Sequence, residues 1–329
     1  MPADDSDPQP VTLHLLEPPR ASGGGRESTL FAWTHQRQHT RTDPERVILL
    51  GDSMSGRWAR AHGIAWGRRI TPPGGSIALA WPPLLGALRE RRPDVIHCWS
   101  PASLRLACAL ARFHRAAVRA TLVEAPSGPE RLIRRTAGRI ERVECFDDQD
   151  ASAWRALGLD VQTLELPAPQ RQTPPGDPRR DARERFNHDH RLDASAMLLG
   201  TLFDHPRETD ARRFSFLLAI LAVSEHQTTG LAPVGARHVE AARRYARTIN
   251  REYRLLFSGS PLIDQLRALD ACVIPDPTRP QARGARRVLE HAARQHGVRA
   301  FERPAFAGLS GPTPPEMIRP MLDVLEGAA

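Results

Sequence analysis

The sequence predicts an α/β protein built from two doubly wound parallel sheets, and three observations support this prediction. Short apolar runs of strand type alternate with helical stretches along most of the 329 residues. A proline-rich break at 164–178 divides this series into two parts of similar size. In segment 91–111, a strand of buried type, a polar turn and a helix follow one another directly. That order is half of a βαβ unit, whose strands are parallel.

The first part of the chain contains six predicted strands and two predicted helices. The strands are short apolar runs bounded by proline, glycine or charged residues, which is typical of buried strands. They are predicted at 11–16, 46–50, 63–70, 95–98, 117–124 and 142–146. The helices are predicted at 82–92 and from Ser100 to about 111, where apolar residues recur at helical spacing.

The second part repeats the alternation of strands and helices after the proline-rich break. Strands are predicted at 196–203, 253–257 and 271–275, and helices at 212–223, 241–250, 262–269, 286–296 and 314–326. The resulting domain prediction is a disordered start at 1–10, an N-terminal domain at 11–165, a linker at 166–190 and a C-terminal domain at 191–329.

Composition excludes several classes of protein. No apolar run approaches the roughly 18 residues of a transmembrane helix, and the acidic N-terminus does not resemble a signal peptide. Cys98, Cys108, Cys145 and Cys272 form no CxxC pair, so neither a disulfide framework nor a zinc site is predicted. A soluble, cytoplasmic protein is expected.

The net charge of +8 comes entirely from arginine, because the chain contains no lysine. The arginines are interleaved with Asp and Glu, so no nucleic-acid partner is predicted, although a basic surface can contact the anionic inner face of a membrane. The lack of lysine rules out a Schiff base or a Walker-type phosphate site. Phosphate groups would be bound by arginine and by backbone amides.

Three polar residues follow or end the strand at 95–98, namely His97, Trp99 and Ser100. Turns at the carboxyl ends of parallel strands are where open α/β sheets bind ligands. We therefore predict these residues in a ligand-binding cleft. Two structural readings stay open, in which His97 is a hydrogen-bonded strand-end histidine and Trp99 packs beneath the cleft.

Three motifs together resemble the retaining GT-B glycosyltransferases of the family-4 type. Segment 93–97 resembles that family's PDVIH strand, segment 264–275 its aspartate and proline element, and segment 288–293 the start of its lEAmA helix. The resemblance covers about 11–305 and rests on motif order. It implies a GT-B-like fold, with two Rossmann-like doubly wound domains facing a central cleft. It also implies transfer of a sugar from a nucleotide-sugar donor to a saccharide or lipid-linked acceptor, with His97, Trp99 and Ser100 on the acceptor side of the cleft.

The resemblance also implies a set of donor-binding residues. In the family, a glycine-rich loop approaches the donor phosphates, a basic residue neutralises the diphosphate, a further loop contacts the base and a glutamate binds the ribose. At the matching positions this sequence has Gly23, Gly24, Arg212, Gly259, Ser260 and Glu290. No catalytic residue is assigned, and no metal or cofactor is expected beyond the donor.

Two departures from the family pattern keep an alternative open. Ala282 stands where the first glutamate of the E-x7-E motif is expected, and Thr201 stands where an arginine is usual. The alternative is a catalytically inactive GT-B homologue that binds a glycan or a partner protein. A nucleotide-sugar epimerase is a third interpretation, in which acidic and histidine residues would move protons.

Overall fold

The computed structural model describes residues 10–20, 26–37, 42–111, 113–127, 130–166, 178–193, 197–201, 210–223, 228–249, 254–273 and 283–301. The chain divides into two compact units. The first unit comprises 1–165 together with 281–285, and the second comprises 166–280 together with 286–329.

The first unit contains a seven-stranded sheet in the order β3-β2-β1-β4-β5-β6-β7, and every pairing in it is parallel. Its strands are β1 (Thr12–Leu16), β2 (Val47–Leu50), β3 (Arg68–Ile70), β4 (Val95–Cys98), β5 (Ala117–Leu122), β6 (Ile140–Cys145) and β7 (Val161–Thr163). The chain runs outward in one direction from β1 to β3 and in the other from β4 to β7. The direction of winding therefore reverses between β1 and β4.

The described helices of the first unit are α1 (Glu27–Arg37), α2 (Ser53–Ala61), α3 (Trp81–Arg91), α4 (Pro101–Leu110), α5 (Arg131–Arg135) and α6 (Asp148–Arg155). Side-chain caps start three of them. Asp52 accepts from the backbone N–H of Ser55, Asp147 caps α6, and Ser100 forms a reciprocal capping box with Ser103. Pro101 occupies the first turn of α4, where its missing N–H costs nothing.

Apolar and polar side chains alternate along the central strands β1 and β4, so the apolar ones lie on one face of the sheet and the polar ones on the other. Leu13, Leu15, Ile96 and Cys98 belong to the large buried core cluster of the first unit. Successive strand side chains point to opposite faces, so the intervening residues of β1 and β4, His14 and His97, point to the other face. This arrangement decides where the polar residues of the candidate site lie.

The second unit contains a five-stranded parallel sheet in the order β10-β9-β8-β11-β12. Its strands are β8 (Met197–Thr201), β9 (Thr228–Pro233), β10 (Leu255–Ser258), β11 (Ala271–Val273) and β12 (Arg299–Phe301), and its described helices are α7 (Pro178–His190), α8 (Ala211–Val223), α9 (Val239–Thr248), α10 (Leu262–Ala268) and α11 (Arg283–Gln295). Gly230 of β9 permits close packing, because a Cβ there would lie 2.2 Å from Leu218 Cδ1.

Most predicted elements are confirmed to within a few residues, and the differences have physical reasons. The strand β9 was not predicted, because its sequence TTGLAP opens with two threonines and a glycine. Helix α7 occupies part of segment 166–190, for which the sequence predicts a linker. Pro178 starts this helix, and an ion pair between Arg180 and Glu184, one turn apart, supports it. The predicted helix at 314–326 lies outside the described residues.

None of the described helices combines the length and the apolarity that crossing a bilayer requires.

Candidate functional site

The reversal of strand order between β1 and β4 creates the position where open α/β sheets bind ligands, at the carboxyl ends of the strands. The first polar residue after β1 is Glu17, and Ser100 follows β4. Both side chains are buried, with exposures of 4% and 6%. The site in the first unit is therefore built around a buried carboxyl group.

Glu17 has a partner on each carboxylate oxygen. The Ser100 hydroxyl donates to Oε2 at 2.7 Å, and the Arg20 guanidinium donates to Oε1 at 3.0 Å. Burial raises the pKa of Glu17 from 4.5 to about 7, although the Ser100 hydrogen bond and Arg20 both act to lower it. A carboxyl group with this pKa exchanges a proton near neutral pH.

A second carboxylate at this edge is Glu124, which follows β5. Arg26, which immediately precedes α1, pairs with it at 2.8 Å between Nε and Oε2. The negative charge of Glu124 contributes to the raised pKa of Glu17, while Arg105 opposes it. The carboxyl ends of β1, β4 and β5 thus carry acidic groups alternating with guanidinium groups. We call Glu17, Arg20, Ser100, Arg26 and Glu124 the edge cluster.

His97 and Trp99 belong to a different environment, on the sheet face beneath α1. Trp99 is fully buried, and its ring stacks on that of His97 at 4.8 Å with an interplanar angle of 14°. Trp33 of α1 meets Trp99 edge-on at 4.9 Å and His14 at 4.9 Å. These four rings form one packed layer, which we call the aromatic layer.

Hydrogen bonds fix the protonation of His97. Thr121 Oγ1 lies 2.9 Å from His97 Nε2 and 3.0 Å from Glu144 Oε2. The hydroxyl donates to the carboxylate, so it accepts a hydrogen bond from the Nε2–H of His97. Burial lowers the pKa of His97 to about 3 and that of His14 to about 2, and the neighbouring Arg37 lowers both further.

The structure therefore divides the three residues that the sequence predicts on the acceptor side. Ser100 lies in the edge cluster, while His97 and Trp99 lie in the aromatic layer, where Trp99 has no exposed surface. Both structural alternatives therefore hold: Trp99 is a packing residue, and His97 is a hydrogen-bonded histidine near the end of a strand.

In the second unit, three predicted donor-binding residues follow the carboxyl ends of strands. Arg212 lies exposed in the first turn of α8, and its backbone N–H donates to Asp210 Oδ1 at 3.1 Å. Gly259 and Ser260 follow β10 directly, and the Ser260 carbonyl accepts a hydrogen bond of 2.7 Å from Gln265. β8 and β10 both flank β9, so these residues share one edge of the sheet.

Glu290 lies further along α11, and its carboxylate pairs with Arg286 one turn earlier at 2.7 Å. Both side chains are mostly buried, at 20% exposure for Arg286 and 15% for Glu290. Gly23, Gly24 and Ala282 lie outside the described residues. Within the described part of the chain, no group of three or more potential metal ligands occurs.

Sequence reasoning missed Glu17, Glu124 and Asp210. The first two could have been found from the sequence, since Glu17 directly follows the predicted strand 11–16, Glu124 ends the predicted strand 117–124, and each closely precedes a proline. Asp210 caps α8 with its side chain and also approaches His238 Nδ1 at 3.3 Å. Asp210 precedes Ala211, the first residue of α8, as an N-cap residue does.

Comparison with solved structures shows the fold. The Anabaena protein HepE, solved in complex with UDP and glucose, superposes with a TM-score of 0.59 at 17% sequence identity, over 89% of this chain and 80% of HepE. A protein from Listeria monocytogenes assigned as a UDP-N-acetylglucosamine 2-epimerase gives 0.56 at 10% identity, over 96% and 87%. The fold is GT-B-like. A glycosyltransferase from Rickettsia africae gives 0.50 at 10% identity, over 96% and 98%.

No family model matches the chain, and no curated protein does. At these identities, similarity to solved structures establishes a GT-B-like fold with two Rossmann-like units. The chemistry has to be argued from the residues themselves.

Proposed function

We propose that this protein binds a nucleotide sugar and transfers the sugar, with retention of configuration, to a saccharide or lipid-linked acceptor. The observation that carries the proposal is the set of donors at the carboxyl ends of strands in the second unit. Arg212 supplies an exposed guanidinium after β8, and Gly259 and Ser260 supply backbone after β10. In a GT-B-like fold these positions suit a diphosphate and a base.

The proposed reaction needs no nucleophile from the protein, because the acceptor hydroxyl attacks the sugar directly. The bond between the anomeric carbon and the diphosphate oxygen breaks, and the acceptor hydroxyl oxygen forms a bond to that carbon on the same face. The hydroxyl proton passes to the departing diphosphate, so the products are the glycosylated acceptor and a nucleoside diphosphate. We propose that Arg212 stabilises the departing charge and that the protein holds both substrates.

Glu290 is proposed to accept the ribose hydroxyls of the donor. Its carboxylate is held by Arg286, so its orientation is fixed before the ligand arrives. HepE has been solved with UDP-glucose as well as with UDP and glucose, which makes UDP and UDP-glucose the first ligands to test.

Calorimetric titration of the full chain with UDP, GDP and their sugar conjugates tests the proposal. Saturable binding of one nucleotide is expected, weakened about tenfold or more in Arg212→Ala and in Glu290→Gln, because a hydrogen bond to a charged group contributes about 1.5–3 kcal/mol. Arg244→Ala and Glu240→Gln are matched controls on exposed positions of α9 and should bind like the wild type. Absence of saturable binding at millimolar nucleotide, or equal losses in the controls, would refute it.

Thr201 favours the second candidate, an inactive homologue that binds a glycan or a protein partner. Its side chain is 1% exposed, and its hydroxyl has no hydrogen-bond partner in the described structure. A buried neutral hydroxyl cannot replace the charge of an arginine near a diphosphate. Nucleotide binding without release of UDP from a UDP-sugar, with any acceptor, would favour this candidate, and a change in sugar configuration would indicate epimerisation.

A further inference from the structure

A histidine and an aspartate from two neighbouring loops meet at the carboxyl edge of the second sheet. His238 follows β9 and immediately precedes α9, and Asp210 immediately precedes α8. His238 Nδ1 lies 3.3 Å from Asp210 Oδ1. The two residues are 28 positions apart in the chain, and the pairing of β8 with β9 brings them together. We call them the His–Asp pair.

Asp210 is fixed by the first turn of α8. Its carboxylate accepts hydrogen bonds from the backbone N–H groups of Arg212 at 3.1 Å and Arg213 at 3.3 Å. The first residue of α8 also donates its backbone N–H to the Arg237 carbonyl at 3.0 Å. Backbone contacts therefore hold the carboxylate against the loop that carries His238.

His238 presents one nitrogen of its ring to solvent. Its side chain is 55% exposed and forms no hydrogen bond that caps α9. Because Nδ1 faces Asp210, Nε2 is the nitrogen that can contact a ligand. A carboxylate that binds one ring nitrogen fixes the orientation of the ring and so directs the other nitrogen, as it does for metal-binding and catalytic histidines.

Positive charge predominates around the His–Asp pair. Arg212 and Arg213 are exposed in the first turn of α8, and Arg213 Nε lies 3.7 Å from Asp210 Oδ2. The α8 and α9 helices also begin here with the positive ends of their dipoles. The other charged side chains of the β9–α9 loop and the start of α9 are Arg237 and the ion pair of Glu240 with Arg243. The loop after β10, at 258–260, has no charged side chain. An anion is therefore the ligand that would balance these charges.

The end of β8 itself supplies no positive charge. Thr201, its last residue, stands where the family resemblance leads us to expect an arginine, and its buried hydroxyl has no hydrogen-bond partner in the described structure. His238 follows β9, the strand that pairs directly with β8. A protonated His238 would supply, from the neighbouring loop, the charge that the end of β8 lacks.

We propose that His238, positioned by Asp210, binds the departing diphosphate as an imidazolium and donates from Nε2 to a phosphate oxygen. This inference rests on the proposed function, since it concerns the phosphates of the same donor. Both nitrogens of an imidazolium donate, so the Asp210 carboxylate accepts from one and the phosphate from the other. Histidine changes its charge between about pH 5 and 8, whereas arginine stays charged, so the diphosphate contact becomes sensitive to pH.

Calorimetric titration of the full chain with UDP at several pH values from 6.5 to 8.5 tests the proposal. At the lowest pH, His238→Asn should bind UDP about tenfold more weakly than the wild type, because it loses a hydrogen bond between two charged groups. The ratio of the two affinities should decrease towards the highest pH, where histidine is neutral. Titration of the UDP phosphate itself affects both proteins alike. Asparagine is the suitable replacement, because it tolerates the positive φ of 60° at this position.

Proton uptake on binding gives a second readout, which a merely structural role of His238 would not change. Titrations at pH 7.5 in two buffers of different ionisation enthalpy measure the protons taken up for each UDP bound. The wild type should take up part of a proton, and His238→Asn should take up none. Asp210→Asn still caps α8, since asparagine is a good N-cap residue, and should give a value between these two.

His188→Asn in α7 is the matched control. His188 Nδ1 also lies near an aspartate, at 3.6 Å from Asp189 Oδ1, but its side chain is 90% exposed. Affinity for UDP and proton uptake should equal those of the wild type. Thermal unfolding of His238→Asn and Asp210→Asn, followed by circular dichroism, shows that both variants are folded at the temperature of the titration.

Equal UDP affinity of His238→Asn and the wild type at pH 6.5 would overturn the proposal, as would proton uptake that persists in His238→Asn. If UDP binding needs Arg212 but not His238, only this inference fails and the proposed function stands. Inorganic pyrophosphate, titrated in parallel, separates the opposite case. Pyrophosphate binding that depends on pH and on His238, without binding of any nucleotide, would support the His–Asp pair as a phosphate site and refute the proposed function.

Discussion

The aromatic layer and the edge cluster start from the same two strands but have opposite chemistry. His14 and Glu17 are three residues apart at the end of β1, and His97 and Ser100 are three residues apart at the end of β4. The histidines point to the sheet face beneath α1, where burial keeps them neutral. Glu17 and Ser100 lie beyond the strand ends and bind each other. In each strand, a residue that packs in the sheet thus lies only three positions before a residue that is suited to contact a ligand.

Burial alone does not distinguish the two regions. Glu17 is 4% exposed and His14 is 2% exposed. Their neighbours distinguish them, because the histidines of the aromatic layer pack against tryptophan rings, and one guanidinium, that of Arg37, lies 3.3 Å from His14 Nε2. The edge cluster surrounds its carboxylates with guanidinium groups, which leaves charge available at the sheet edge.

Truncating the aromatic layer should give the largest effect. Trp99→Ala is expected to reduce the free energy of unfolding by about 3–5 kcal/mol, since a fully buried tryptophan leaves a large cavity. All six tryptophans lie in the first unit, so tryptophan fluorescence during urea unfolding measures this transition. The half-exposed Trp81→Ala is the control and should cost less than about 0.5 kcal/mol. Equal losses in the two variants would contradict the assignment of Trp99 to packing.

The edge cluster should show a smaller effect that depends on pH. The pKa of Glu17 rises from 4.5 in the unfolded chain to about 7 in the folded one, so the folded state binds more protons between these values. The free energy of unfolding therefore falls as pH rises through this window, by up to about 3 kcal/mol from this group. Glu17→Gln removes the titrating group and should gain that amount relative to the wild type between pH 4.5 and neutral pH.

The control for Glu17→Gln is Glu141→Gln, whose exposed carboxylate pairs with exposed Arg119. This change should shift stability by less than about 0.5 kcal/mol at all pH values. Burial also raises the pKa of Asp150 to about 7. Both variants therefore keep part of the dependence of stability on pH. An identical pH profile for Glu17→Gln and the wild type would show that Glu17 is ionised in the folded protein throughout the window.

Local sequence patterns predicted the strands and helices that carry strong periodicity, such as β4, α4 and α8. Apolar runs and N-cap residues act within a few positions, so they can be read from the chain. The strand β9 escaped prediction because its burial comes from neighbours on both sides in the sheet, which the sequence TTGLAP does not reveal.

The candidate site was harder to predict, because it depends on which residues the sheet brings together. The sequence placed His97, Trp99 and Ser100 in one group, since it shows their order but not the face to which each points. Pairing of β1 with β4 joins Glu17 to Ser100 across 83 positions. Arg212, Gly259 and Ser260 could be located through a resemblance to a family, and their roles as donor ligands remain predictions.

The smallest expected effect is measured over the single pH unit below 6.5. It concerns the neutral histidines and has the opposite sign to that of Glu17. An unfolded histidine takes up a proton below its ordinary pKa of 6.5, whereas folded His97 stays neutral down to about 3. Unfolding then takes up a proton, so the free energy of unfolding falls as pH decreases below 6.5, by up to about 1.4 kcal/mol per pH unit for this residue. His97→Gln can still donate to Thr121 and should lose that dependence, measured by tryptophan fluorescence at several pH values. His188→Gln, at a side chain that is 90% exposed, should leave the profile of the first unit unchanged. An unaltered acid slope in His97→Gln would mean that His97 is charged in the folded protein, and the aromatic layer would then have to hold a cation next to Arg37.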